Sequence, residues 1–173
     1  PVEMLVYVQS TSEIPRLTAA IHREGELEGD RYVVPVTIDL ESGFQWPWAW
    51  YLRDQRDVSY PLLGGDTDER PKKLDGEVVL VHHMNDHRIS SMLQEDFRQN
   101  QRFRFRWWFP EDTYRGLTLR KFLTSFGDRE SWRGAMDYFL HRKDMLKRVG
   151  SEDGILYLSR DFETGFTVMS NPD

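Results

Sequence analysis

Short apolar runs alternate along this chain with stretches in which apolar residues recur every three or four positions, a pattern that predicts β-strands separated by amphipathic helices. Residues 4–8 and 32–38 read as the first two strands, the second strongly apolar, with Pro35 marking a bulge or limiting its pairing. Between them, Ser12-Glu13-Ile14-Pro15 opens a helix with a capping hydroxyl and a first-turn proline. Ile14, Leu17, Ala20 and Ile21 supply its buried stripe, and Gly25 stands near its end. Residues 44–53 predict a short helix opened by Trp46-Pro47, residues 58–60 a weak third strand, and residues 63–76 a polar surface loop marked by glycine and proline. Residues 78–81 form a continuous apolar run, the mark of a strand buried on both faces, and residues 89–97 predict a helix. From 103 to 109 the chain alternates. Phe103, Phe105, Trp107 and Phe109 point one way, while Arg102, Arg104 and Arg106 form a charged row on the other, as on a protected edge strand. Helices at 118–125 and 131–147 and a last strand at 155–159 complete the pattern. The expectation is a single α/β domain over residues 1–173: a three-layer α/β/α sandwich with a mostly parallel, Rossmann-like sheet and an arginine-rich edge strand.

Composition narrows the class. Aromatic residues make up 13% of the 173, six of them Trp, so the chain is a folded domain and not a disordered acidic segment. The longest apolar stretches, of about five residues, fall far short of the ~20 that span a bilayer. The absence of cysteine excludes disulfides, a thiolate nucleophile and Cys-ligated metal. With Pro1 first and a strand following almost at once, the chain reads as a domain cut from a longer protein.

The net charge of −6 conceals a segregation. Residues 1–97 carry 9 basic and 18 acidic side chains, residues 98–148 carry 13 and 6, and residues 149–173 carry 1 and 5. An acidic whole argues against general nucleic-acid binding, whereas the basic middle, with Arg102, Arg104 and Arg106, suits an anionic surface.

Most signatures of nucleotide and acyl-transfer sites are missing: there is no G-x-G-x-x-G, Walker A or G-x-S-x-G. Asp66-Thr67-Asp68 is a D-x-D, a pattern that can hold a divalent cation, set in a polar loop that a solvated surface explains as well. His82-His83-Met84-Asn85-Asp86-His87 concentrates ligand-type side chains where a strand should end. Successive strand residues face opposite ways, so His82 and His83 do not suit one ion, and no metal or other cofactor is expected. Trp107-Trp108-Phe109-Pro110 after the arginine row lacks the glycine-bearing pattern of an RNA-binding sheet. The block from Asp39 to Asp54 is more telling: two carboxylates, Asp39 and Glu41, then a turn, then Trp46, Trp48 and Trp50. Carboxylates beside aromatic faces suit sugars, whose hydroxyls need acceptors and whose C–H faces stack on rings. The plain alternative is that the tryptophans anchor a helix to the core and Arg53 pairs locally with Asp54 or Asp39.

Several blocks carry a family resemblance. The opening Tyr7-Val8-Gln9-Ser10-Thr11, the Ile38-Asp39 strand end and the run Trp46-Pro47-Trp48-Ala49-Trp50-Tyr51-Leu52-Arg53-Asp54 are joined by Arg106-Trp107-Trp108-Phe109-Pro110-Glu111 and Ile155-Leu156-Tyr157-Leu158-Ser159-Arg160-Asp161. Together they resemble the soluble C-terminal region of a family of prokaryotic polytopic membrane proteins, itself similar to C-class glycosyltransferases, which take sugar from polyprenyl-phosphate donors. The resemblance implies an extracytoplasmic domain at the cell membrane. Its partners would be the membrane-embedded part of the same chain, a glycan or polyprenyl-linked sugar, and the membrane surface, with no nucleic acid. The catalytic carboxylate of such enzymes belongs to the membrane part, so no catalytic residue carries over to this chain.

The expected ligand-facing surface is the carboxyl edge of the sheet, combining Gln9, Ser10, Asp39, Glu41, Trp46 and His83. Two other classes compete: a stand-alone metal-dependent hydrolase or transferase using His83, His87 and Asp39, and a structural interaction module.

Overall fold

A computed structural model describes residues 9–64, 74, 76–93, 96–108 and 150–160, with single positions at 124, 129, 132, 133, 136, 140 and 162; of 99 and 100 it describes the backbone alone. The expected strand at 4–8, most of the loop at 63–76 with Asp66 and Asp68, and most of the helices at 118–125 and 131–147 lie outside these residues.

The described elements are β1 (Gln9–Ser10), α1 (Glu13–Leu27), β2 (Val36–Ile38), a 3-10 turn (Glu41–Gly43), α2 (Gln45–Tyr51), β3 (Val58–Ser59), β4 (Val78–His82), α3 (Asp86–Leu93), β5 (Phe97–Trp108) and β6 (Gly150–Ser159). The six strands lie in the order β1-β5-β6-β4-β2-β3. β2 pairs parallel with both β3 and β4, and β4 pairs antiparallel with β6, setting Val79 opposite Tyr157 and His82 opposite Gly154.

Alternation along β4 divides the core into two layers. Val78 and Leu80 face a cluster with Ile14, Leu17 and Ile21 of α1 and Phe44, Trp48 and Leu52 from α2 and its flanks. Val79 and Val81 face the other side, with Ile89 and Leu93 of α3. β6 divides likewise, Leu156 and Leu158 to the first cluster and Ile155 and Tyr157 to the second. The stripe predicted for α1 is the face it buries, at the 3.6-residue period of a helix packed on a sheet. Gly25 is a glycine because the chain returns against it: a Cβ there would stand 2.6 Å from the carbonyl oxygen of Asp30. β2 starts directly after Pro35, whose carbonyl accepts the amides of Glu77 and Val78 at 3.0 and 3.2 Å.

This arrangement corrects the expected three-layer sandwich with a mostly parallel, Rossmann-like sheet. The sheet is mixed, and its two longest strands, β5 and β6, are neighbours. A continuous apolar run reports burial on two faces and says nothing of direction; β6 has that run and still lies antiparallel to β4. Nor is the arginine strand the edge. β1 lies outside β5, where Thr11 donates its amide to the Phe105 carbonyl at 3.1 Å, so exposed arginines on β5 mark one open face and not an open side.

By compactness the chain divides into two units, residues 1–9 with 106–151, and residues 10–105 with 152–173. Both core clusters and α1 to α3 belong to the second.

Candidate functional site

The parallel pair β2 and β4 delivers two chain ends to one edge of the sheet. β2 continues one residue past its register, the Asp39 amide donating to the Leu80 carbonyl at 2.9 Å, and the Asp39 side chain is then fully buried. Its Oδ1 accepts the Glu41 amide at 3.1 Å, and its Oδ2 accepts Asn85 Nδ2 at 2.7 Å and the His82 amide at 3.3 Å. A buried carboxylate demands such donors, since an unpaired charge in the interior is costly. Asp39 thus ties the start of the 3-10 turn to the turn that leaves β4. Asn85, itself buried, was visible in the sequence only as one polar residue among the histidines.

Glu41 follows on that turn, where Ser42 and Gly43 both have left-handed backbone, φ 55° and 72°. Ser42 is the only described non-glycine residue with positive φ, a costly conformation held by its surroundings. Glu41 Oε2 and, one helical turn on, Gln45 Oε1 are buried and meet no donor among the described residues. Gly64 lies against this carboxylate: a Cβ at that position would come within 2.1 Å of Glu41 Oε2 and 2.5 Å of Asn85 Oδ1. Arg88 of α3 donates to the Gly64 carbonyl.

α2 then parts its three tryptophans. Trp48 is fully buried, edge-on to Phe103 with ring centroids 5.6 Å apart. Trp46 and Trp50 are 71% and 67% exposed and, four residues apart, share the opposite face. The Arg53 guanidinium lies 4.8 Å from the Trp50 ring centroid, donates to the Trp50 carbonyl at 3.2 Å and approaches Asp54 at 3.6 Å.

The histidines do different work. His82 ends β4, buried between Phe44 and Phe105 at centroid distances of 5.8 and 5.7 Å. Its Nδ1 accepts the Met84 amide at 3.4 Å, which leaves the proton on Nε2, 3.7 Å from Glu152 Oε2. His83 is half-buried and donates through Nδ1 to the Asp153 carbonyl at 3.0 Å; His87 is exposed on α3. Across the sheet the Tyr157 hydroxyl donates to Asp86, and burial, then that hydrogen bond, pushes the phenol well above its ordinary pKa.

Of the residues expected to converge, Asp39 and Glu41 do so, with His82 and Asn85 beside them, and Trp46 stands exposed at the start of the next helix. Ser10 does not join them, because β5 and β6 lie between β1 and β4, and Gln9 belongs to the other unit. Among the arginines, Arg102 pairs with Asp153 at 2.8 Å, the Arg104 amide donates to Glu13 at 2.7 Å, and Arg106 falls in the first unit. Among the described residues no three His, Asp or Glu side chains are grouped to hold a metal ion, and no helix is long and apolar enough to cross a membrane.

Comparison with protein-family models, with curated proteins and with solved structures finds no match to this chain.

Proposed function

We propose that this chain is a non-catalytic recognition domain on the extracytoplasmic side of a membrane-bound, glycosyltransferase-like protein, where α2 meets a glycan or the sugar of a lipid-linked donor. The observation that carries the reading is the split of one tryptophan triplet. Trp48 serves the core, while Trp46 and Trp50 stay exposed on one helical face, on the helix that follows Glu41, whose buried Oε2, like Gln45 Oε1 in the first turn of α2, meets no donor among the described residues. Exposed indoles offer flat apolar faces to sugar C–H groups. Arg53, already engaged by Trp50 and Asp54, supplies little for an anionic ligand, which favours a neutral one. A catalytic role gains no support from Asp39, both of whose oxygens are occupied by protein donors.

The test is binding of the chain to a panel of neutral oligosaccharides, with transfer activity measured in the full-length membrane protein. The double change Trp46→Ala with Trp50→Ala is expected to weaken glycan binding at least about tenfold, the loss of one to two stacking contacts, with no change in thermal stability. A parent chain that binds no glycan, or a double variant that binds as the parent does, overturns the reading.

A further inference from the structure

Trp132, Arg133, Met136 and Leu140 are helical and exposed, the three apolar side chains at 49%, 49% and 66%. At about 100° per residue, the helical spacing of positions 132, 133, 136 and 140 corresponds to an arc of roughly 100°. Exposed Trp, Met and Leu at such spacing make a face that water disfavours, and an arginine set among them is a cation on an apolar stripe. The sequence of this segment is equally one-sided in charge. Residues 129–148 carry six basic side chains, Arg129, Arg133, Arg142, Lys143, Lys147 and Arg148, against three acidic ones, whereas residues 1–97 and 149–173 are both net acidic.

The geometry points to a docking face for an anionic lipid bilayer, with Trp132, Met136 and Leu140 entering the headgroup boundary and Arg133 meeting lipid phosphate. An anionic bilayer is the occupant that satisfies both properties at once, since it offers negative charge at its surface and an apolar layer a few ångströms below. A nucleic acid would answer the charge and leave Met136 and Leu140 in water. Trp suits the interface because its ring is apolar in body and polar at its N–H. This inference does not depend on glycan binding by α2, which lies in the other unit.

The experiment uses the 173-residue chain with vesicles of phosphatidylcholine alone and of phosphatidylcholine with 30% phosphatidylglycerol, at low and high salt. Binding to the anionic vesicles, weakened by salt, is expected. The triple change Trp132→Ala, Met136→Ala and Leu140→Ala should lower partitioning at least about tenfold, and Arg133→Glu should lower it while flattening the salt dependence. Quenching by brominated lipid, present in the parent and lost in Trp132→Phe, keeps the test open should the triple variant fold poorly. Equal binding to both vesicles, no binding to either, a triple variant that partitions as the parent does, or quenching undiminished in Trp132→Phe overturns the inference. So does selective binding to single-stranded DNA, or to a protein, in place of vesicles.

Discussion

Single residues decide their roles here by what surrounds their polar atoms, and two carboxyl groups make the contrast. Asp39 is buried and answered by three N–H donors, so Asp39→Asn sets an amide N–H₂ against at least one of them. The expected outcome is a loss of about 2–4 kcal/mol of stability, read from chemical denaturation, because a donor is left facing a donor in the core. Little or no loss would mean that the clasp between β2 and the turn after β4 is not structural. Glu77 is the reverse case. Its Oε2 is buried and meets no partner among the described residues, and burial, then the nearby Glu28, raises its pKa above the ordinary carboxylate value. A raised carboxyl pKa means the folded state holds its proton longer than the unfolded one does. Its contribution is therefore most favourable below the unfolded pKa and is lost as pH rises through the folded one. Glu77→Gln should raise the melting temperature at pH 7 by a few degrees, with the gain vanishing below about pH 4. A gain independent of pH would place the effect elsewhere. Asp39 is legible in the sequence at its strand end. The partner that fixes its role is not, because Asn85 comes 46 positions later and the contact exists only once β2 and β4 are paired.

At the scale of elements, periodicity was readable wherever a face is buried against a neighbour. The apolar stripe of α1 was legible, since Ile14, Leu17 and Ile21 are buried, although Thr18 and Glu24 are buried with them. α3 was misplaced: residues 89–97 were expected helical, whereas the helix is Asp86–Leu93 and Phe97 begins β5. The first apolar residue, Ile89, is not the first helical one, because Asp86 opens the helix, where an acidic side chain is favoured by the helix dipole. In α2 the spacing of three tryptophans two apart requires that they diverge, without saying which is buried. Trp48 is that one, so Trp48→Ala should cost about 3–5 kcal/mol in denaturant unfolding while Trp46→Ala costs less than about 0.5 kcal/mol. Equal costs would contradict the assignment of Trp46 to the solvent face.

For the chain as a whole, the strands β2 to β6 were legible at least in part and their pairing was not. Every feature used to expect a parallel sheet, the apolar runs and the helices between them, is local, whereas the β4 to β6 pairing joins residues about 80 positions apart. Strand direction is decided by such long-range closure and leaves no mark on either strand alone. The register is nevertheless open to a direct test, because the chain contains no cysteine to interfere. The Ser159 amide donates to the Glu77 carbonyl at 2.8 Å, one step beyond the Val78 to Leu158 pair, so positions 77 and 159 stand opposite each other in the antiparallel register, joined by that one bond. Directly opposed residues of antiparallel strands have Cα atoms about 4.5–5.5 Å apart, within the span that a disulfide accepts. Glu77→Cys with Ser159→Cys should therefore oxidise to an intramolecular disulfide, seen as a mass loss of about 2 Da that reductant reverses, and should raise the melting temperature by closing a loop of about 80 residues. In a parallel arrangement Glu77 would lie instead near the start of β6, so Glu77→Cys with Asp153→Cys is the opposing pair. Cross-linking of 77 to 153 and not to 159 would overturn the antiparallel register, and with it the placement of Glu152 and Asp153 beside His82 and His83.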